Sequence, residues 1–166
     1  MPAALTPGTT DYLMRSDREL VYTRVFDAPR PLVYSAFTEA EHLVNWMGLK
    51  PGSMKTPEHD FKVGGKYRWE FYGDDNEIQV TITGEFKEIR PNEYVLNTEQ
   101  MEFGGQTTPE YPTDLTFSDE GDQTKVVGTV LFPAADAANG ALGSGMKDGM
   151  DISFAHLDAL LSKLSG

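Results

Sequence analysis

The side chains with acid–base or ligating potential are few and scattered along the chain. His42 follows Glu41, and His59 stands between Glu58 and Asp60, where acidic neighbours favour the imidazolium form. His156 falls to one side of an apolar stripe near the C-terminus. No H-x-x-x-H or H-E-x-x-H spacing relates the three, and their loose pairing with carboxylates does not make a metal set. Surface or rim positions explain them. Glu70, Glu85, Glu88 and Glu99 lie in strand-like segments, mostly on the face opposite the apolar one, where solvation accounts for them. Asn97 and Glu99 differ, because their segment, Tyr94 to Met101, alternates poorly. Pointing inward, they would orient a polar ligand group or supply a base. No G-x-S-x-G or phosphate loop occurs, and Gly64-Gly65 lacks the third glycine and following helix of a nucleotide site. These residues make no catalytic set, and no metal or cofactor is implied.

The elements that must carry these groups follow from periodicity. Residues 1–18, with Pro2, Pro7 and Gly8, read as a mobile N-terminal arm. Glu19 to Asp27 is strand-like and is stopped by Pro29 and Pro31, the latter suited to a first helical turn. Leu32, Val33, Ala36 and Phe37 recur at helical spacing. Thr38 with Glu41 matches a capping box for a second short helix that carries Leu43, Val44 and Trp46. A meander of strands follows. Tyr67, Trp69 and Phe71 share one face of 66–72, and Ile78, Val80, Ile82, Gly84 and Phe86 alternate through 77–89. Tyr94 to Met101, Leu115 to Phe117 and 124–132 complete the set, with 103–110 as a loop. Gly84 marks a bulge or bend. In the last segment Met146, Met150, Phe154, Leu157, Leu161 and Leu164 form one helical stripe. The glycines at 140, 143, 145 and 149 delay that helix to near Ser144, and 139–149 is a candidate gate. The order is α+β without βαβ alternation, so a single domain spans 19–166.

Composition narrows the function classes. With 166 residues, nine Phe, seven Tyr and two Trp, the chain has ample material for one core. Its net charge of −12 and scattered basic residues disfavour nucleic acid and anionic membrane surfaces. Zero cysteines exclude disulfides and thiolate chemistry and suit a reducing, cytoplasmic setting. No apolar run reaches the ~20 residues of a membrane span.

Several motifs, in order, carry a resemblance. They are the opening strand with Ala28-Pro29, Val33-x-x-Ala36-x-Thr38, the Leu43-x-x-Trp46 turn, Gly64-Gly65, Gly84 with Glu88-Ile89-x-Pro91, and the terminal helix. Together they resemble the START-like, or SRPBCC, helix-grip domains, specifically the group related to the activator of Hsp90 ATPase, over residues 19–164. A Gly-Trp pair that usually opens the last helix is Gly149-Met150 here, and a paired tryptophan is Trp46-Met47. Both replace an indole with a flexible thioether. The resemblance implies a curved antiparallel sheet wrapped around a long C-terminal helix, with two short helices after the first strand and an apolar cavity between. It implies carriers of lipids or small molecules, polyketide cyclase-like enzymes, stress-linked proteins, or partners of a chaperone ATPase. The expected ligand is a small hydrophobic molecule lined by Trp46, Tyr67, Trp69, Phe71, Phe117, Met150 and Phe154. A cyclase-like enzyme using Asn97 or Glu99, and a co-chaperone module, are the alternatives. A homodimer or a chaperone contact would suit the latter.

Overall fold

The computed structural model describes residues 7–55 and 57–165. Two strands come first, β1 (Thr10–Met14) and β2 (Glu19–Phe26), followed by helices α1 (Arg30–Thr38) and α2 (Ala40–Trp46). Strands β3 (Glu58–His59), β4 (Lys66–Tyr72), β5 (Ile78–Arg90), β6 (Tyr94–Phe103), β7 (Gln106–Thr107), β8 (Tyr111–Glu120) and β9 (Gln123–Leu131) form the meander. Helices α3 (Ala135–Gly143) and α4 (Met146–Ser165) end it. The strands make one antiparallel sheet in the order β1-β2-β9-β8-β6-β5-β4-β3, with β7 paired to the end of β6. This is the helix-grip arrangement: a bent sheet around α4, with α1 and α2 inserted after the opening strands.

Local chemistry explains the boundaries. Pro31 occupies the first turn of α1, where its missing N–H leaves no bond unmade. Gly64 has φ +84°, and a side chain on Gly65 would run into the Asp60 carbonyl at 1.9 Å, so both glycines are needed to turn the chain into β4. Bulges at Phe71/Tyr72 and Phe86/Glu88 bend the sheet. Gly84 contributes to the same bend, since the β5–β6 ladder pairs Thr83 with Gln100 and Phe86 with Asn97 but is interrupted between them.

Four expectations need correction. Thr38 does not cap α2; it ends α1, and its hydroxyl donates back to the Tyr34 carbonyl at 2.8 Å. The N-cap of α2 is Glu39, with no side-chain capping bond. Part of the supposed arm is strand, because Thr10–Met14 adds to β2 in full register; residues 1–6 lie outside the described residues. The loop expected at 103–110 contains β7, with Glu102 opposite Thr107. The glycine-rich stretch before the last helix is mostly helix α3, whose Ala138 is fully buried. Tertiary burial there overrides poor local propensity. Helix α4 then starts at Met146, after Gly145 at φ +92°.

Candidate ligand-binding site

Strand register sorts the side chains by face. Tyr67 pairs with Gly84, Trp69 with Ile82 and Phe71 with Val80, while Phe117 pairs with Val126. All stand on the concave side. The seven side chains singled out from the sequence fall into two packed groups and two half-buried positions. Trp46, Phe117 and Phe154 close around Phe37, with ring centroids 5.1, 5.6 and 6.4 Å from it. Tyr67 and Trp69 lie 4.4 Å apart and join Phe86, Phe61 and His59. Phe71 and Met150 are half-buried and pack at the margin of the core.

Helix α4 is tied down on both sides. Its Asp158 accepts from the buried Arg24 guanidinium at 2.6 Å, and Asp151 accepts from the Tyr12 hydroxyl at 2.7 Å. Ser153 bonds both the amide (3.2 Å) and the carbonyl (2.9 Å) of Gly48 just after α2. Because Asp158 lies over the Arg24 row and Asp151 over the Tyr12–Tyr22 row, the first turns of α4, with Met146 and Met150, extend toward the sheet end that carries Glu99 and Tyr111.

At that end the concave surface turns polar. Asn97 is nine-tenths buried. Its Nδ2 donates to the Tyr67 hydroxyl at 2.9 Å and, more weakly, to the Thr98 carbonyl at 3.3 Å. A carbonyl only accepts, so the amide orientation is fixed. The Tyr67 hydroxyl donates to that same carbonyl at 2.6 Å. Tyr111 donates to Glu99 Oε2. Glu99 is half-buried, and desolvation raises its pKa against the opposing Tyr111 bond. Burial, with the Glu99 charge next, also raises the Tyr67, Tyr111 and Tyr22 phenols. The inward Asn97–Glu99 pair, ambiguous in the sequence, is therefore inward. Tyr111 went unnoticed because Tyr111-Pro112 borders a Gly- and Thr-rich stretch; the i, i+2 spacing of Asn97 and Glu99 was the usable signal.

Two glycines make room for this cluster. A Cβ on Gly84 would lie 2.0 Å from the Thr98 carbonyl and 2.4 Å from the Tyr67 hydroxyl, and one on Gly128 would lie 2.0 Å from the Tyr22 ring. Each tyrosine lies flat over the glycine of a neighbouring strand.

His59 is placed differently from expectation. Trp69 Nε1 donates to its Nδ1 at 3.3 Å, so Nε2 carries the proton and donates to the Thr38 carbonyl at 2.6 Å. Burial lowers its pKa, outweighing the Thr38 bond and the nearby Asp60. His59 is thus a neutral bracket between β3 and α1. His156 Nε2 lies 3.1 Å from the Leu49 carbonyl. His42 comes within 4.8 Å of Glu39 and Glu41 at the exposed start of α2.

Two clefts lie off this face. One of about 300 Å³ runs between Gly8, Asp27 and the Asp158–Ser162 end of α4. Another of about 160 Å³ sits among Arg68, Thr81, Thr83 and Gln100 on the outer side of the sheet. No helix among the described residues is long and apolar enough to cross a membrane.

An antiparallel sheet gripping a C-terminal helix, polar at one end of its inner face, defines a helix-grip domain. Residues 27–162 match the family model for activator of Hsp90 ATPase homolog 1-like proteins, and the chain belongs to that family. Solved structures share the architecture. A Rhodobacter sphaeroides protein is 21% identical with a TM-score of 0.83, over 94% of this chain and 99% of its own. Protein Ms6760 of Mycobacterium smegmatis is 20% identical with a TM-score of 0.78, over 93% and 98%. Protein CV1439 of Chromobacterium violaceum is 25% identical with a TM-score of 0.67, over 87% and 97%. No curated protein matches the sequence.

Proposed function

We propose that the protein binds a small, largely apolar molecule between the concave face of the sheet and α4, with the Tyr67–Asn97–Glu99–Tyr111 cluster at its polar end. The observation that carries this reading is a set of side chains that face inward without being covered. Ile82, Met101, Glu99 and Thr113 stand on the concave face yet remain half-buried, as do Met146 and Met150 of α4. Apolar walls with a few convergent polar groups are what ligand pockets have in common. The thioethers of Met146 and Met150 leave the walls adaptable. Of the seven residues expected to line the site, Phe71 and Met150 are the half-covered ones that would touch ligand first; the five better-buried ones would shape the floor. The cysteine-free composition suits a reducing compartment, and we place the protein in the cytoplasm.

A thermal-shift titration with fatty amines, sterols, flavonoids and aromatic polyketides tests the reading. A ligand at 100 times its Kd adds about 2.7 kcal/mol, which is roughly 5 °C for a domain of this size. No shift across the panel would sink the reading and turn attention to protein partners, with the exposed Ile152 and Ala159 side of α4 as the first surface to mutate.

One observation favours a second, enzymatic reading. Glu99 is an inward-facing carboxylate held toward its neutral form, as a general acid–base group for a carbonyl substrate would be. Its mark would be Glu99-dependent deuterium exchange at the carbon between the carbonyls of a bound aryl β-diketone. Equal exchange with Glu99→Gln would remove this reading and leave binding intact.

A further inference from the structure

The hydrogen-bond polarity of the Glu99 cluster points beyond a generic apolar ligand. Each donor in it is already used inside the protein. Tyr67 donates to the Thr98 carbonyl, Tyr111 to Glu99 Oε2, and Asn97 Nδ2 to Tyr67 and Thr98. What remains are acceptors. Among the described residues nothing donates to Glu99 Oε1 or Asn97 Oδ1. Neither is among the sealed side-chain atoms without partners, which are Arg24 Nε, Arg30 Nε, Tyr34 Oη and Ser53 Oγ. Both oxygens therefore reach open space, two residues apart on the same face of β6. No lysine or arginine of the described residues forms a salt bridge with Glu99. An inward-facing, half-buried carboxylate with one free oxygen and no cation lacks the partner that carboxylates withdrawn from water ordinarily have. The Tyr22 hydroxyl, on the same face, can donate or accept, so it leaves the sign of the site to Glu99.

We propose that the site selects apolar molecules whose polar end donates hydrogen bonds, ammonium compounds above all, with Glu99 Oε1 and Asn97 Oδ1 as the acceptors, and that it rejects carboxylates. This rests on the ligand-binding reading above and specifies its chemistry. With Glu99 ionised, a carboxylate brought to it meets a like charge and finds no uncommitted donor among Tyr67, Asn97 and Tyr111, and the net charge of −12 opposes its approach from a distance. An ammonium replaces the missing cation and supplies three donors to two oxygens.

The test is a matched series by calorimetric titration at pH 8: 1-naphthaleneethylamine, 1-naphthaleneethanol and 1-naphthaleneacetate, with decylamine, decanol and decanoate as a second tail. The amine of each series should bind at least about tenfold tighter than its carboxylate, with the alcohol between, since charge-assisted bonds are roughly twice as strong as neutral ones. Glu99→Gln should bring amine and alcohol to within about twofold in the same assay. Carboxylates binding as tightly as amines, or an amine preference that survives Glu99→Gln, would overturn the inference while leaving ligand binding standing. Failure of all six compounds would overturn both. Should Glu99→Gln not fold, the wild-type ranking decides alone.

Discussion

At the residue scale, the consequences of burial are sharpest at Glu99, His59 and the two slot glycines. The Glu99 pKa is raised in the folded protein, so its protonated form is the one folding favours. Its contribution is intact below the unfolded value of about 4.3 and is lost as pH rises through the folded value. Glu99→Gln should therefore match wild type near pH 4 and become the more stable of the two toward pH 7, measured as urea midpoints across that range; a constant difference would mean that Glu99 is not desolvated. His59 titrates in the opposite sense, its pKa being lowered. Its stabilisation is complete above about 6.5 and is lost as pH falls through the lower, folded value. Gly84→Ala should cost about 2 kcal/mol in chemical denaturation. The new methyl meets the Thr98 carbonyl, which as backbone cannot swing aside.

At the element scale, α4 is held by its buried Phe154, Leu157 and Leu161 together with polar ties to β1, β2 and the end of α2, and α3 by a fully buried Ala138 with the partly buried Ala137, Ala141 and Leu142 beside it. Asp158→Asn leaves the Arg24 guanidinium, with its side chain only 4% exposed, without a counter-charge. The expected loss is about 2 kcal/mol, less than the 3–5 of a fully buried pair because Asp158 keeps contact with water. In α3, a Cβ on Gly140 meets nothing within 4 Å, so Gly140→Ala should stabilise that helix by up to about 1 kcal/mol. The same substitution slows amide exchange over 139–149 if α3 opens to admit ligand, and ligand should slow it further. Exchange there that ignores both changes would argue against a gate.

At the scale of the whole molecule, the sheet was legible in the sequence where alternation was strict, and faint where burial or hydrogen bonding overrode local preference. The faces of β4 and β5 and the stripe of α4 could be read directly, because Tyr67, Trp69, Val80, Ile82, Phe154 and Leu157 repeat with the period of their element. Helix α3 could not, since Gly140 and Gly143 lower its propensity and it is held by the buried Ala138 with the partly buried Ala137, Ala141 and Leu142. Thr38 had the composition of a cap, but its hydroxyl donates back to the Tyr34 carbonyl instead of accepting from an amide of α2. The polar end of the site was visible only as two misplaced polar residues; that Tyr111 and Tyr67 use up its donors depends on pairings across strands β4, β6 and β8, which no local pattern encodes. The packing also gives the protein an optical property. Its only two indoles sit in separate surroundings, Trp46 stacked on Phe154 and donating to the Ala36 carbonyl, Trp69 stacked on His59 and donating to that ring. With Trp46 replaced by Phe, the emission of Trp69 becomes a single-site signal that dims as the adjoining imidazole takes up a proton, while Trp46 alone, in the reverse replacement, reports the closure of α2 against α4.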